Sequence, residues 1–271
     1  MNSRLGGSGG LVIVDARNTG ELADGAILSF VFAAGQRPDA AAIATAGSAN
    51  TGADIGAHPA VGGFTISLRP DPAEGWLELL SSGLTFDCAG LTPAEGTPLA
   101  PRGALLGLDA APGGEAVSLR PGNHIAEGKG MLPVVRIMAA VGLRFAALPD
   151  VRAVCWQPAG SWMEPGYYRR VVGDWLGGGA FPSLGLTSLR RESNGAMVSL
   201  GLGLLIGQEL RFEPERNISA GAVARISVRL IHELIASGPL SEPREFAGID
   251  GETLLAVPVR GGEQLRVMVR K

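Results

Sequence analysis

The segment that most constrains the fold is residues 132–148, which predict a helix that is apolar on nearly every face. Its large apolar side chains are Val134, Val135, Ile137, Met138, Val141, Leu143, Phe145 and Leu148. A helix with no polar face to turn toward water lies between layers of structure or in a subunit interface. Arg136 and Arg144 then need partners or a route to solvent.

Strands are predicted on both sides of this helix, at 115–121 and 151–157. A strand–helix–strand connection within one sheet is right-handed in nearly all proteins and makes its two strands parallel. The loops that follow the two strands should therefore emerge at the same edge of the sheet. Open α/β layers place their ligand crevices at the carboxyl ends of strands, so this edge is a candidate site.

Further elements are predicted as a helix at 164–176, a hairpin at 184–207, a helix at 220–237 and a hairpin at 253–270. The pairs Asn194-Gly195 and Gly261-Gly262 supply the positive φ that tight hairpin turns need. Pro258 predicts an edge strand, because proline cannot donate to a ladder. We expect an α+β fold of two layers, helices packed on a mixed sheet, with the carboxy-terminal order βαβαββαββ.

Composition suggests three sections along the chain. Residues 1–60 have no clear periodicity, 61–113 predict a small α+β part, and 114–271 predict a compact α+β domain. The boundary near 113 follows a loop rich in glycine and proline. Within the middle section, Asp71 and Pro72 have the spacing of a helix start, so a short helix that ends at Gly83 is predicted.

The overall composition excludes some classes of partner. The chain has 271 residues, 46% of them hydrophobic and 18% charged, which is enough to bury a full core. A net charge of −3 and a pI near 5.7 give no general attraction to nucleic acid. The most apolar stretch is too short and too charged to cross a bilayer. With no secretory pattern and two cysteines in apolar contexts, we expect a soluble cytoplasmic protein.

The densest cluster of aromatic and polar residues is "VCWQPAGSWMEPGYYRR", residues 154–170. Ser161 and Glu164 have capping-box spacing and Pro165 suits a first helical turn, so part of the cluster is structural. The remaining residues and the 120–130 loop form the predicted ligand-binding set: Arg120, His124, Lys129, Trp156, Gln157, Trp162 and Tyr167. We expect them to line one depression for a small anionic or planar ligand or a protein partner. The alternative is a pair of solvated loops.

Familiar catalytic, cofactor and metal motifs are absent from the sequence. "GNHIAEGK" has the wrong spacing for a phosphate loop, and "GLGLLIG" at 201–207 is predicted to lie in a hairpin strand rather than to open a helix. The histidines and cysteines lack paired zinc-ligand spacing, and His232 is expected to be a satisfied surface residue on a helix flank. Apolar neighbours predict a raised thiol pKa for Cys88 and Cys155. No catalytic residue, metal or cofactor is therefore predicted.

Two longer stretches, "LPDVRAVCWQPAGSWMEPGYYRRVV" and "FPSLGLTSLRRESNGAMVSLGLGLLIGQELRFEP", follow one another in an order that resembles a bacterial family of unknown function. The resemblance covers residues 116–271. It implies a cytoplasmic α+β module, discussed beside toxin-immunity systems, and it transfers no catalytic residue.

These observations favour a non-catalytic binding or interaction module, accessory or immunity-like, over an enzyme. The reason is that no nucleophile, base and orienting group with plausible spacing can be assembled. The alternative is a small-molecule hydrolase with a histidine-based site in the 120–130 and 156–164 loops. The sequence leaves the ligand, the partner and homo-oligomer formation open.

Overall fold

The structure is a computed structural model that describes residues 13–15, 25–48, 62–99, 103–128, 130–213, 219–248 and 251–270. Its helices are α1 (Ala40–Ser48), α2 (Leu132–Phe145), α3 (Pro165–Leu176), α4 (Ser183–Leu186), α5 (Leu202–Ile206) and α6 (Ala220–Ser237). Its strands are β1 (Ile13–Asp15), β2 (Leu28–Phe32), β3 (Thr65–Leu68), β4 (Trp76–Ser81), β5 (Leu84–Ala89), β6 (Leu105–Leu106), β7 (Glu115–Pro121), β8 (Val151–Trp156), β9 (Ser161–Met163), β10 (Ser188–Arg191), β11 (Met197–Leu200), β12 (Glu209–Phe212), β13 (Arg244–Ala247), β14 (Thr253–Val259) and β15 (Gln264–Arg270).

Helices and mixed sheets together confirm the α+β class. The carboxy-terminal order differs in detail from the predicted βαβαββαββ, because β9, α4, α5, β12 and β13 are additional short elements. In the described residues the strands form two sheets rather than the one that the sequence predicts.

The eight-stranded sheet has the order β3-β4-β5-β7-β2-β8-β9-β6. β2 lies between β7 and β8 and is antiparallel to both, so β7 and β8 run in the same direction. This agrees with the crossover through α2 that the sequence predicts. The loops after β7 and β8 do emerge at one edge, but they are separated by the width of β2.

The seven-stranded sheet has the order β1-β10-β11-β12-β15-β14-β13 and is mixed, with β1–β10 and β12–β15 parallel. The turns at Gly195 and Gly261 have the positive φ expected of them, 88° and 67°. The prediction that Pro258 marks an edge strand is wrong, since β14 pairs with both β15 and β13. β13 pairs with Thr253–Ala256 of β14, so Pro258 lies beyond the end of the β13–β14 ladder. That ladder therefore needs no backbone N–H from residue 258.

One hydrophobic cluster joins the helices to the inner faces of both sheets. It contains Phe30 and Val154 from the eight-stranded sheet, Met138 from α2, and Leu210 and Leu265 from the seven-stranded sheet. α2 packs against α3 and the eight-stranded sheet, and α6 packs against α4 and α5. The two sheets therefore share a core.

The predicted burial of α2 is confirmed. Ten of its fourteen residues are buried, including Arg144. Arg136 reaches the helix flank, where its guanidinium lies 4.7 Å from the centre of the Trp175 ring and donates to the carbonyl oxygen of Leu176. These two contacts of Arg136 fit the expectation that an arginine on an apolar helix needs a partner.

The eight-stranded sheet crosses both predicted section boundaries. β2 belongs to residues 1–60, β5 belongs to 61–113, and both pair with β7 of the third section. Arg37 also spans the boundaries: its Nε lies 2.8 Å from Glu115, and its other nitrogens donate to the carbonyl oxygens of Gly90 and Ala94. Strand pairing between distant segments outweighs the loop composition from which the boundaries were predicted.

Two local predictions are wrong. The segment after Asp71 forms a single turn, Pro72–Glu74, and then β4 instead of a helix. Alternate residues of β4 are buried, which is the two-residue period of a strand. The segment 201–207 is a short helix, α5, flanked by Gly201 and Gly207 in left-handed conformations rather than a hairpin strand.

Candidate functional site

The two tryptophans of the predicted set lie on opposite faces of the eight-stranded sheet. Trp156 is fully buried in the main core on the helix-covered face. Trp162 pairs with Cys155 and packs in a separate cluster on the other face, beneath the segment that contains Leu105. The sheet stands between the two indoles, so they do not line one depression.

Two polar members of the set, Arg120 and His124, contact acids that pair with each other across β4 and β5, whereas Gln157 has a separate neighbour. Arg120 forms an ion pair with Asp87 at 3.1 Å. The His124 side chain is 79% exposed, with its Nε2 atom 3.9 Å from a Glu78 oxygen. Gln157 is buried and donates to the Ser29 hydroxyl at 2.7 Å. Lys129 lies outside the described residues.

The start of α3 differs from the predicted capping box. Glu164 is itself the N-cap residue, and its carboxylate accepts hydrogen bonds from the backbone N–H groups of Gly166 and Tyr167. Ser161 belongs to β9 and donates to the carbonyl oxygen of Gly185. Ser161 and Glu164 therefore do not form a capping box: the first is a strand residue and the second is the N-cap of the following helix.

A cavity of about 360 Å³ opens between α3, the segment 180–184 and α6. Its lining residues are Tyr167, Val171, Asp174, Ala180, Phe181, Pro182, Ser183, Leu184 and Val228. Six of the nine are apolar and three are polar, and the volume falls within the range of roughly 300–1,000 Å³ typical of small-molecule sites. Tyr167 is the member of the predicted set that lines this cavity.

Helical spacing explains the α3 wall of the cavity. Tyr167, Val171 and Asp174 are separated by four and three residues, so they share one face of the helix. Burial raises the pKa of the Tyr167 hydroxyl, although the nearby Arg170 guanidinium acts in the opposite direction. The Arg170 guanidinium lies 5.4 Å from the centre of the Tyr167 ring.

A serine and a histidine meet beside the cavity. The hydroxyl of Ser183 lies 3.3 Å from Nε2 of His232 on α6. The Ser183 carbonyl oxygen accepts both the backbone N–H and the hydroxyl of Thr187, which fixes the backbone at this position. His232 has a hydrogen-bond partner, as the sequence predicts, but it is half-buried rather than a surface residue.

Edge-to-face ring contacts hold the wall that carries Phe181. The Phe181 ring meets Trp175 edge-to-face at 5.4 Å, and it meets the imidazole of His232 in a similar arrangement at 6.3 Å. Aromatic pairs in such geometry are favourable beyond their buried area. Phe181 is therefore positioned from both sides.

A second polar group lies away from this cavity and is half-buried. The carboxylate of Glu209 accepts hydrogen bonds from the Ser199 hydroxyl and from the backbone N–H of Gly203 at the start of α5. Burial raises the pKa of Glu209 to about 7, although these hydrogen bonds act to lower it. Ser199 in turn accepts the N–H of Leu210 at 2.7 Å, so the group completes the ladder where β11 and β12 separate.

The two thiols are the remaining candidates for chemistry. Burial raises the pKa of both Cys88 and Cys155, and the charge of Asp87 adds to the effect at Cys88. This confirms the direction expected from their apolar neighbours. Among the described residues, no group of three or more His, Cys, Asp or Glu is placed to hold a metal ion.

In comparisons with known proteins, the chain matches no protein-family model, no curated protein and no solved structure. The resemblance to a bacterial family of unknown function stays a prediction. Within the described ranges, no helix has the length and apolar character needed to span a membrane.

Sequence reasoning missed most of the cavity. Phe181 and Ser183 lie in a Phe-Pro-Ser segment that precedes the predicted hairpin at 184–207 and for which the sequence predicts no element. His232 is predicted to be a satisfied surface residue on a helix flank. The one available signal was the stripe of α3 that begins at Tyr167 and ends at Asp174. That stripe changes from apolar to acidic along one helix face, which is unusual for a face packed wholly in a core.

Proposed function

We propose that this chain is a non-catalytic binding module that holds a small molecule in the cavity between α3 and α6. The observation that carries the proposal is the lining of this cavity: six apolar and three polar residues line a volume of about 360 Å³. This is the composition of small-molecule sites, in which apolar walls supply affinity and a few polar groups orient the ligand.

Two further observations support binding over catalysis. The Cys88 and Cys155 thiols are buried with raised pKa values, so neither favours the thiolate that a cysteine nucleophile requires. Ser183 lines the cavity but is 4% exposed, so Tyr167 and Asp174 are the polar groups open to a ligand, and a substrate has little room to approach the Ser183 hydroxyl. The accessory or immunity-like role rests on the family resemblance alone.

The test is a screen of small organic fragments by NMR on protein with labelled methyl groups. We expect binding fragments to shift the methyl resonances of Val171, Leu184 and Val228. Val228→Trp should abolish these shifts, because the indole would occupy the cavity. Ala236→Trp is the matched control, since it adds the same ring to an exposed position of α6. Shifts confined to the loops around His124 and Gln157 would contradict the proposal and favour the site predicted from sequence.

A hydrolase is the second candidate, favoured by the 3.3 Å contact between the Ser183 hydroxyl and His232 Nε2. In that reaction the imidazole would accept the hydroxyl proton while Oγ attacks a carbonyl carbon, and the bond from that carbon to the departing group would break as the group receives the proton. A water molecule would then attack the acyl-enzyme and release the acid and the Ser183 hydroxyl. A fluorophosphonate reagent separates the two candidates. Covalent labelling of Ser183 that disappears in Ser183→Ala and in His232→Gln would establish the hydrolase, whereas a binding module stays unlabelled.

A further inference from the structure

The charge of the cavity indicates what kind of ligand fits it. Of the nine lining residues, Asp174 is the charged one. It lies in the last turn of α3, the end at which the helix dipole places partial negative charge. Resting on the proposed function above, we propose that the ligand is a small organic cation: an ammonium group carried on an apolar body.

The aromatic walls favour the same ligand. Tyr167 and Phe181 both line the cavity, and aromatic rings attract cations that approach their faces. Phe181 is held in place by Trp175 and His232 and is 6% exposed, so Tyr167, which is half-buried, presents more of the aromatic surface. Val171, Leu184 and Val228 then contact the apolar body.

Two arginines near the cavity limit how much more tightly it binds a cation than a neutral ligand. Arg170 lies over the Tyr167 ring at 5.4 Å, and Arg136 donates to the Leu176 carbonyl at the end of α3. Neither lines the cavity, whereas Asp174 does. Because Asp174 is also exposed, water screens its attraction, and we expect a cation to bind about fivefold more tightly than a neutral ligand of the same shape.

The experiment compares 2-phenylethylamine, 2-phenylethanol and phenylacetate, which share a ring and have similar length but carry positive, zero and negative charge. Each is titrated at pH 7 against the methyl resonances of Val171 and Val228 in the full chain. We expect the amine to bind most tightly, and Asp174→Asn to remove its advantage over the alcohol. Glu263→Gln makes the same charge change at an exposed position on another part of the chain and should leave the order unchanged.

Each other outcome overturns a stated part of this inference. Equal affinities for the three probes would keep the cavity as a binding site and overturn the choice of a cation. Tighter binding of phenylacetate would do the same and would show that positive charge near the cavity outweighs Asp174. If none of the three probes gives a saturable shift, the proposal of a cationic ligand is overturned. If the fragment screen is negative as well, the proposed binding function is also overturned.

Discussion

Replacing Glu209 by glutamine should make the protein's stability less sensitive to pH. The pKa of Glu209 is raised by burial from its ordinary 4.5 to about 7. A carboxyl whose pKa is higher in the folded than in the unfolded chain stabilises the fold while it is protonated. Its contribution is fully present below pH 4.5 and is lost as the pH rises through about 7.

The size of the effect follows from the two pKa values. At about 1.4 kcal/mol for each pKa unit, a rise from 4.5 to about 7 corresponds to roughly 3 kcal/mol of unfolding free energy between acid and pH 8. In Glu209→Gln the amide oxygen still accepts the Gly203 N–H, the amide nitrogen donates to the Ser199 oxygen instead of accepting from it, and the group cannot ionise.

The assay is urea denaturation of wild type and variant at pH 5, 6, 7 and 8. We expect the unfolding free energy of the variant, relative to wild type, to rise by about 2–3 kcal/mol across this range. Glu263→Gln removes an exposed carboxylate from the neighbouring strand hairpin and serves as the control. A difference that stays constant, or that falls as the pH rises, would refute the assignment of a raised pKa to Glu209.

The remaining predictions concern packing. Ala140→Asp should lower the unfolding free energy by about 3–5 kcal/mol, since the position is 8% exposed and the carboxylate would be unpaired; an unchanged melting temperature would contradict the burial of α2. Gly142→Ala should destabilise by about 1–3 kcal/mol, because its Cβ would lie 2.5 Å from the Tyr168 hydroxyl, and a gain in stability would show that α3 can shift. Arg37→Ala should cost about 2–4 kcal/mol by removing the hydrogen bonds of a buried guanidinium to the partly buried carbonyl oxygens of Gly90 and Ala94. Its unfolding should stay a single transition by fluorescence and circular dichroism, and two separate transitions would restore the predicted domain boundary.

Local patterns account for the elements that the sequence predicted. α2, α3 and α6 were found from apolar periodicity, and the last hairpin was found from its Gly-Gly turn, because these signals depend on neighbours within a few residues. β4 was misassigned for the same reason. The six residues "WLELLS" satisfy a helical and a strand pattern about equally, and the choice is made by pairing with β3 and β5.

Long-range pairing explains what could not be predicted. The insertion of β2 between β7 and β8 joins segments more than 80 residues apart, and no local pattern distinguishes it from direct pairing of β7 with β8. The misplaced site residues share this cause. Trp156 and Cys155 are adjacent and face opposite sides of the sheet, so a strand end that faces a crevice cannot be told from one that faces the core until the helices are placed.

The orientation of α3 decides where the cavity lies, and a glycine on another helix sets that orientation. Tyr167 and Tyr168 are neighbours, so they project about 100° apart around the helix axis. Tyr168 is fully buried and its hydroxyl donates to the Ala139 carbonyl oxygen of α2 at 3.0 Å. It fits there because Gly142 has no side chain: a Cβ at that position would lie 2.5 Å from the hydroxyl. With Tyr168 held against α2, the face of α3 that begins at Tyr167 must turn toward α6. The α3 wall of the cavity is therefore a consequence of how α2 and α3 pack in the core.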